Sequence, residues 1–150
     1  MRVAIGSDHA GFELKNLLRD ELIALGDEVK DFGTNSAESM DYPDVAIPLA
    51  TEVSGGDFDF GILICSNGVG PSIVANKVHG IRAAVCHDVF SAHQGVEDDD
   101  MNVLCLGARV IGRNLVMDIV KTFLGAKYTG LDRHQRRLDK VNAIEKEFCK

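Results

Sequence analysis

The stretch Cys65-Ser66-Asn67-Gly68-Val69-Gly70-Pro71-Ser72 holds the residue types best suited to chemistry in this chain. Gly68 and Gly70 permit positive φ and close approach of the backbone to a ligand. Pro71 suits the first turn of a following helix, where its missing N–H costs nothing. Amides ahead of such a helix point together and form a nest for an anion. Cys65 stands at the base of that nest. Convergent amides and a helix N-terminus favour thiolate over thiol. Cys65 could then serve as base or nucleophile while the amides hold a developing oxyanion. The plainer alternative is a core cysteine beside an ordinary turn; the glycine loop tips the reading toward function. A cysteine-nucleophile phosphatase is excluded, because its C-x-x-x-x-x-R pattern needs an arginine where Pro71 stands.

Other candidates are scattered along the chain. In Gly6-Ser7-Asp8-His9-Ala10-Gly11, Asp8 could accept from sugar hydroxyls and His9 could meet a phosphate near a positive helix end. Equally, Ser7 or Asp8 could simply cap the helix, and both readings can hold. No G-x-G-x-x-G fingerprint is present, so a dinucleotide is not indicated. Cys86-His87-Asp88 and His93 match no metal-binding spacing. The run Glu97-Asp98-Asp99-Asp100 reads as a solvated acidic loop, although acids closing a helix oppose its dipole and call for compensation. Arg133 and Arg137 lie four apart on one helix face, where like charges repel unless an anion bridges them. Arginine forks suit phosphate, and Arg109 is a third candidate for the same anion. A solvated face balanced by Asp132 and Asp139 is the alternative.

These residues must be positioned by strands and helices that alternate. Strands are expected at Val3–Gly6, Glu28–Phe32, Phe60–Cys65, Arg82–Cys86 and Val103–Gly107. The third and fifth are nearly continuous in apolar character, as suits strands covered on both faces. Helical spacing runs through Phe12 to Leu25, with Gly26 as a stop, and through Val45 to Val53. Further helices are expected over Ser72–Val78, Phe90–Val96, Leu115–Leu124 and Asp132–Phe148. The expected fold is a three-layer α/β/α sandwich: a Rossmann-like, five-stranded parallel sheet with an extra C-terminal helix, in one domain over residues 1–150. Ligands in such folds sit beyond the carboxyl ends of the strands.

Composition narrows the class. A net charge of -7, from 16 Lys+Arg against 23 Asp+Glu, argues against nucleic acid or an anionic membrane as partner. No C-x-x-C pair, long apolar run or signal peptide occurs, which points to a reduced, cytoplasmic protein whose four cysteines are free.

Taken together, these motifs resemble the type B ribose-5-phosphate isomerases, a family that also holds galactose-6-phosphate isomerase. The resemblance rests on Gly6-Ser7-Asp8-His9-Ala10-Gly11-Phe12, Asp41-Tyr42-Pro43, Gly61-Ile62-Leu63-Ile64-Cys65 with its loop, Ala75-Asn76-Lys77, Gly80-Ile81-Arg82-Ala83, Asn102-Val103-Leu104, Gly107-Ala108-Arg109-Val110 and Arg133-His134-Gln135-Arg136-Arg137. It implies aldose–ketose isomerisation of a small phosphorylated sugar without metal or cofactor. By resemblance Cys65 is the base, and Ser66, Asn67, Gly68, Val69 and Gly70 hold a cis-enediolate. Asp8, Tyr42 and Asp99 join the substrate-binding set, and His9, Arg109, Arg133 and Arg137 take the phosphate. A homodimer or homotetramer with sites shared between chains is also implied.

Two departures stand out. The family loop reads Gly-Thr after the cysteine, where this chain has Ser66-Asn67. The family's ring-opening acid is a histidine, and Asp98 occupies its position. An aspartate ordinarily titrates at about 3.9 against roughly 6.5 for histidine, so a solvated Asp98 accepts a proton rather than donating one. Three readings stay open: a substrate such as a four-carbon sugar phosphate that needs no ring opening, another group such as His93 in that role, or an impaired enzyme. A sugar-phosphate-binding protein without catalysis is the alternative from another class.

Overall fold

The structure, a computed structural model, describes residues 1–148. Cys149, one of the four cysteines, lies outside the described residues. The elements run β1 (Arg2–Ser7), α1 (Phe12–Ala24), β2 (Glu28–Asp31), α2 (Pro43–Ser54), β3 (Phe60–Cys65), α3 (Val69–Ala75), β4 (Ala83–Val85), α4 (Val89–Asp99), β5 (Val103–Gly107), α5 (Arg113–Gly125) and α6 (Asp132–Phe148). The expected alternation is observed. The five strands form one parallel sheet in the order β2-β1-β3-β5-β4.

The apolar runs become central strands because helices cover both faces. Every residue of β5 is buried, as is all of β3 after Phe60. Alternate side chains divide between two cores. Val3, Ile5, Ile62, Ile64, Leu104 and Leu106 face α1, α4 and α5, where Leu18, Leu22, Val116, Ile119 and Phe123 meet them. Ala4, Leu63, Val103 and Cys105 face α2 and α3, against Val45, Leu49, Ala50 and Ala75. Each fully buried Leu, Ile or Phe stabilises the fold by roughly 1.5–3 kcal/mol.

Three of the departures from the pattern-based expectation bear on the site. α3 begins at Val69 instead of Ser72, because Gly68 at φ +84° turns the chain from β3 straight into the helix. β4 is shorter than Arg82–Cys86, since Arg82 N–H leaves the ladder for Asn102 Oδ1 at 2.8 Å. The acidic run 97–100 is not a loop: α4 extends through Asp99. Gly26 closes α1 at φ +95°, as expected. Among the described residues no helix is long and apolar enough to cross a membrane.

Candidate active site

Cys65 ends β3 in register with Gly107 of β5, and Ile64 pairs with Ser7. The thiol is nearly buried, at 4% exposure, yet it is not sealed in hydrocarbon. Its Sγ accepts the Gly68 N–H at 2.9 Å and lies 3.7 Å from Asn67 Oδ1. Asn67 Oδ1 also accepts the Val69 N–H at 3.0 Å. Two amides expected to face a ligand, those of Gly68 and Val69, are therefore engaged inside the loop. The N–H groups of Ser66, Asn67 and Gly70 find no acceptor among the described residues. Three donors of the loop that follows the sulfur are thus left without a protein acceptor, a supply suited to stabilising an oxyanion.

Close packing sets the loop's shape. A Cβ on Gly107 would come within 2.7 Å of Asn67 Cα, so only glycine lets the loop settle onto the end of β5. A Cβ on Gly70 would meet the Tyr42 ring at 2.7 Å. Tyr42, at the entrance to α2, therefore lies against the glycine loop with 39% of its surface still exposed.

Asp8 and His9 follow β1 beside the cysteine, with Asp8 N–H donating to Ile64 O at 3.2 Å. Asp8 Oδ1 caps the next turn, accepting from Ala10 N at 3.0 Å and Gly11 N at 3.2 Å. The capping reading therefore holds, and it leaves Oδ2 without a partner among the described residues for a substrate hydroxyl. His9 Nδ1 accepts the Met40 N–H at 3.3 Å. An accepting ring nitrogen carries no proton, so Nε2 is the donor His9 offers. Arg109 completes this end, its N–H bonded to Ser66 O at 3.0 Å.

The remaining predicted residues lie elsewhere. Asn102 O accepts from Gly61 N, at the start of β3. At about 3.3 Å per residue, the four steps from Gly61 to Cys65 span ~13 Å. α4 descends from the carboxyl end of β4 over 11 residues, about 15 Å, and leaves Asp98 and Asp99 beyond the amino ends of the strands. Thr129 N–H donates to Glu97 O, bringing the start of α6, with Arg133 and Arg137, to this same end. One chain therefore does not bring Asp98, Asp99, Arg133 and Arg137 to Cys65, because the parallel crossover returns each helix to the opposite edge. Arg109 is likewise separated from the other two arginines expected to share its anion.

At this second end Asp98 Oδ1 lies 3.1 Å from His134 Nδ1. Arg133 Nε donates to His134 Nε2 at 2.8 Å. A guanidinium only donates, so Nε2 is the bare nitrogen and the Nδ1 proton points at Asp98. His134 is 3% exposed and thus fixed between a carboxylate and an arginine. Of the acids closing α4, Glu97 lies 3.1 Å from His93 Nδ1, and Asp100 beyond the helix pairs with Arg82 at 2.7 Å. An open cavity of about 410 Å³, lined by Arg82, Asp99, Met101, Val141 and Ile144, adjoins this end and is remote from Cys65.

Two other thiols, Cys86 and Cys105, are buried. Burial pushes the Cys86 thiol above its ordinary range, helped by Asp88. Burial, then the neighbouring thiols Cys65 and Cys86, raises Cys105 far higher. Both stay protonated. His87 is a local prop, its Nε2 accepting the Gly107 N–H at 2.8 Å. Among the described residues no group of three or more His, Cys, Asp or Glu could hold a metal ion. Sequence reasoning assigned no role to His134, and it missed Lys15 and Asp31 altogether. Lys15 sits in an otherwise ordinary helical pattern, so nothing in its local spacing announces burial.

Comparison with known proteins fits this architecture. The Ribose/Galactose Isomerase family matches residues 3–141. Ribose-5-phosphate isomerase B of Escherichia coli (strain K12) is 49% identical over 144 residues, 96% of each chain. D-erythrulose-4-phosphate isomerase of Pectobacterium atrosepticum is 44% identical over 131 residues, covering 87% of this chain and 86% of that one. The solved structure of Clostridium thermocellum ribose-5-phosphate isomerase B superposes with a TM-score of 0.96 at 49% identity, over 99% of both chains. Similarity of that degree along nearly the entire length makes this chain a sugar-phosphate isomerase of the aldose–ketose class, a member of the ribose/galactose isomerase family.

Proposed function

We propose that the chain interconverts ribose 5-phosphate and ribulose 5-phosphate through a cis-enediolate with Cys65 as base. The observation that carries this reading is the Cys65 sulfur bonded to the Gly68 amide in a loop whose Ser66, Asn67 and Gly70 amides have no protein acceptor among the described residues. The thiolate removes the proton from C2 of the open-chain aldose, and negative charge builds on O1. The open amides stabilise that charge, and the thiol, its proton exchanging in part with solvent, delivers a proton to C1 while the O2 hydroxyl proton moves to O1. Removal of such a base costs about 10²–10⁴-fold in rate. Asp8 Oδ2 and Tyr42 take sugar hydroxyls, and His9 Nε2–H and Arg109 are donors at the same end.

Arg133 and Arg137 join the phosphate site from a second chain, together with Asp98 and Asp99. Their placement at the far end of their own chain supports a homo-oligomer with shared sites. Asp98, which faces His134 Nδ1, takes the anomeric hydroxyl proton when a cyclic sugar opens, and solvent water supplies the proton that the released ring oxygen gains.

A second reading, isomerisation of a four-carbon sugar phosphate, is favoured by Asp98 itself, since such a sugar forms no stable phosphorylated ring and needs no acid. Tetrose, pentose and hexose phosphates incubated in deuterated water and followed by NMR separate the two. Deuterium entering C1 or C2 of the pentose at the highest rate supports the first reading. Turnover of the tetrose alone, with pentose turnover gained in Asp98→His, supports the second, and binding without exchange sinks both.

A further inference from the structure

The largest charged group in the core is one the isomerase reading does not use. Lys15 of α1 is fully buried, its side chain 1% exposed. An ammonium in the interior needs every donor matched. Here all three are: Nζ donates to Asp31 Oδ1, to Asp31 Oδ2 and to Thr34 O, each at 2.7 Å. Asp31, closing β2, also accepts the Gly33 N–H at 2.8 Å and Arg19 Nη1 at 3.0 Å. Burial alone would raise its carboxyl, but these hydrogen bonds, led by Lys15, hold it below the ordinary carboxylate range.

This cluster grips the start of the segment that builds one wall of the site. Gly33 and Thr34 bracket Ser7, accepting its N–H and donating to its carbonyl, each at 2.7 Å. The same segment then supplies the Met40 N–H that sets the His9 tautomer, and it ends at Tyr42 on Gly70. Cys65 and its loop, by contrast, are held chiefly by β5 and α3, and this segment meets the loop through Tyr42 on Gly70.

We propose that Lys15, paired with Asp31, is a positioning residue of the isomerase: it ties the 33–42 segment to α1 so that His9 presents Nε2–H and Tyr42 lies on the glycine loop. The effect falls chiefly on substrate binding, because Cys65 itself is anchored by β5 and α3. The inference rests on the isomerase reading.

Lys15→Met leaves the partly buried Asp31 carboxylate without its main partner and can fail to fold. Lys15→Met/Asp31→Asn removes both charges while keeping an oxygen for the Gly33 amide, and replacing both members of a buried pair is often tolerated. In the double variant KM for ribose 5-phosphate should rise about tenfold or more with kcat within roughly threefold. The His9 imidazole ¹⁵N shifts, assigned by their loss in His9→Asn, should move from a single Nε2–H tautomer to exchange-averaged values. Lys30→Met, which breaks the exposed Lys30–Glu52 pair on the same strand, should change neither. A folded double variant with parental KM and parental His9 shifts overturns the proposal. A parent that turns over no sugar phosphate overturns the isomerase reading instead, while the His9 shifts still report on Lys15.

Discussion

Gly68→Ala tests the geometry of the site most directly. Gly68 has φ +84°, a left-handed conformation that costs a residue with Cβ roughly 1–2 kcal/mol. The new Cβ would also lie 3.1 Å from Leu106 C and 3.2 Å from Leu106 N, main-chain atoms of buried β5 that cannot move aside. That overlap adds about 1 kcal/mol of overpacking. The sum, ~2–3 kcal/mol, corresponds to a fall in Tm of roughly 5–10 °C for a chain of this length. Escape from the clash must move the 66–68 loop, and with it the Gly68 N–H bonded to Cys65 and the open amides beside it. Losing one oxyanion donor costs about 10²–10³ in kcat. Gly107→Ala separates the two effects. It carries no left-handed cost, yet its Cβ would push on the Asn67 backbone at 2.7 Å and shift the same loop. Tm by calorimetry and kcat by ¹H NMR of C2–H exchange should show kcat lowered about 10²–10³-fold and Tm lowered in both variants. A Gly68→Ala enzyme with kcat within threefold of the parent would show that the loop amides are not the oxyanion site.

Further outcomes follow from the same geometry. Cys65→Ser should abolish C1/C2 proton exchange with Tm nearly unchanged, and full exchange in that variant removes the sulfur from the mechanism. In a Cys149→Ser background, iodoacetamide should modify Cys65 before Cys86 or Cys105, and inorganic phosphate should slow it; equal rates at all three would contradict the thiolate assignment. Mixing inactive Cys65→Ala and Arg137→Ala chains after subunit exchange should restore up to roughly a quarter of parental activity in a two-fold dimer with two shared sites; no recovery in proven mixed oligomers excludes the shared site. Asp31 is held below its unfolded value of 3.8, so the folded chain binds that proton less readily than the unfolded one. Its stabilisation is complete above that value and lost as pH falls through the lower folded value, so urea midpoints should drop more steeply below about pH 4 in the parent than in Asp31→Asn.

Local chemistry made the fold legible. The runs Gly61–Cys65 and Val103–Gly107 cannot be half-exposed, because neither offers a polar face, and only a parallel sheet covered on both sides accommodates them. The glycine loop after Cys65 was legible for a similar reason, since Gly68 occupies a φ that residues with a Cβ avoid. Spacing alone also suggested that Asp8 could cap the turn after β1, which its Oδ1 does.

What spacing could not convey is direction and distance. A parallel crossover sends each helix back across the sheet, so Asp98 and Arg133, although close to β5 in sequence or in motif, end at the edge opposite Cys65. Lys15 occupies a helix position that looks ordinary among Leu14, Leu17 and Leu18, and its burial depends on Asp31 and Thr34 arriving from β2 and the segment beyond. His134 likewise gains its fixed tautomer only when α4 brings Asp98 beneath α6. Residue types and their periodicity thus determined the strands, the sheet and the cysteine loop, each a property of a short stretch of chain. Which charges meet was decided by tertiary structure, because an ion pair belongs to two segments and neither carries its partner's position.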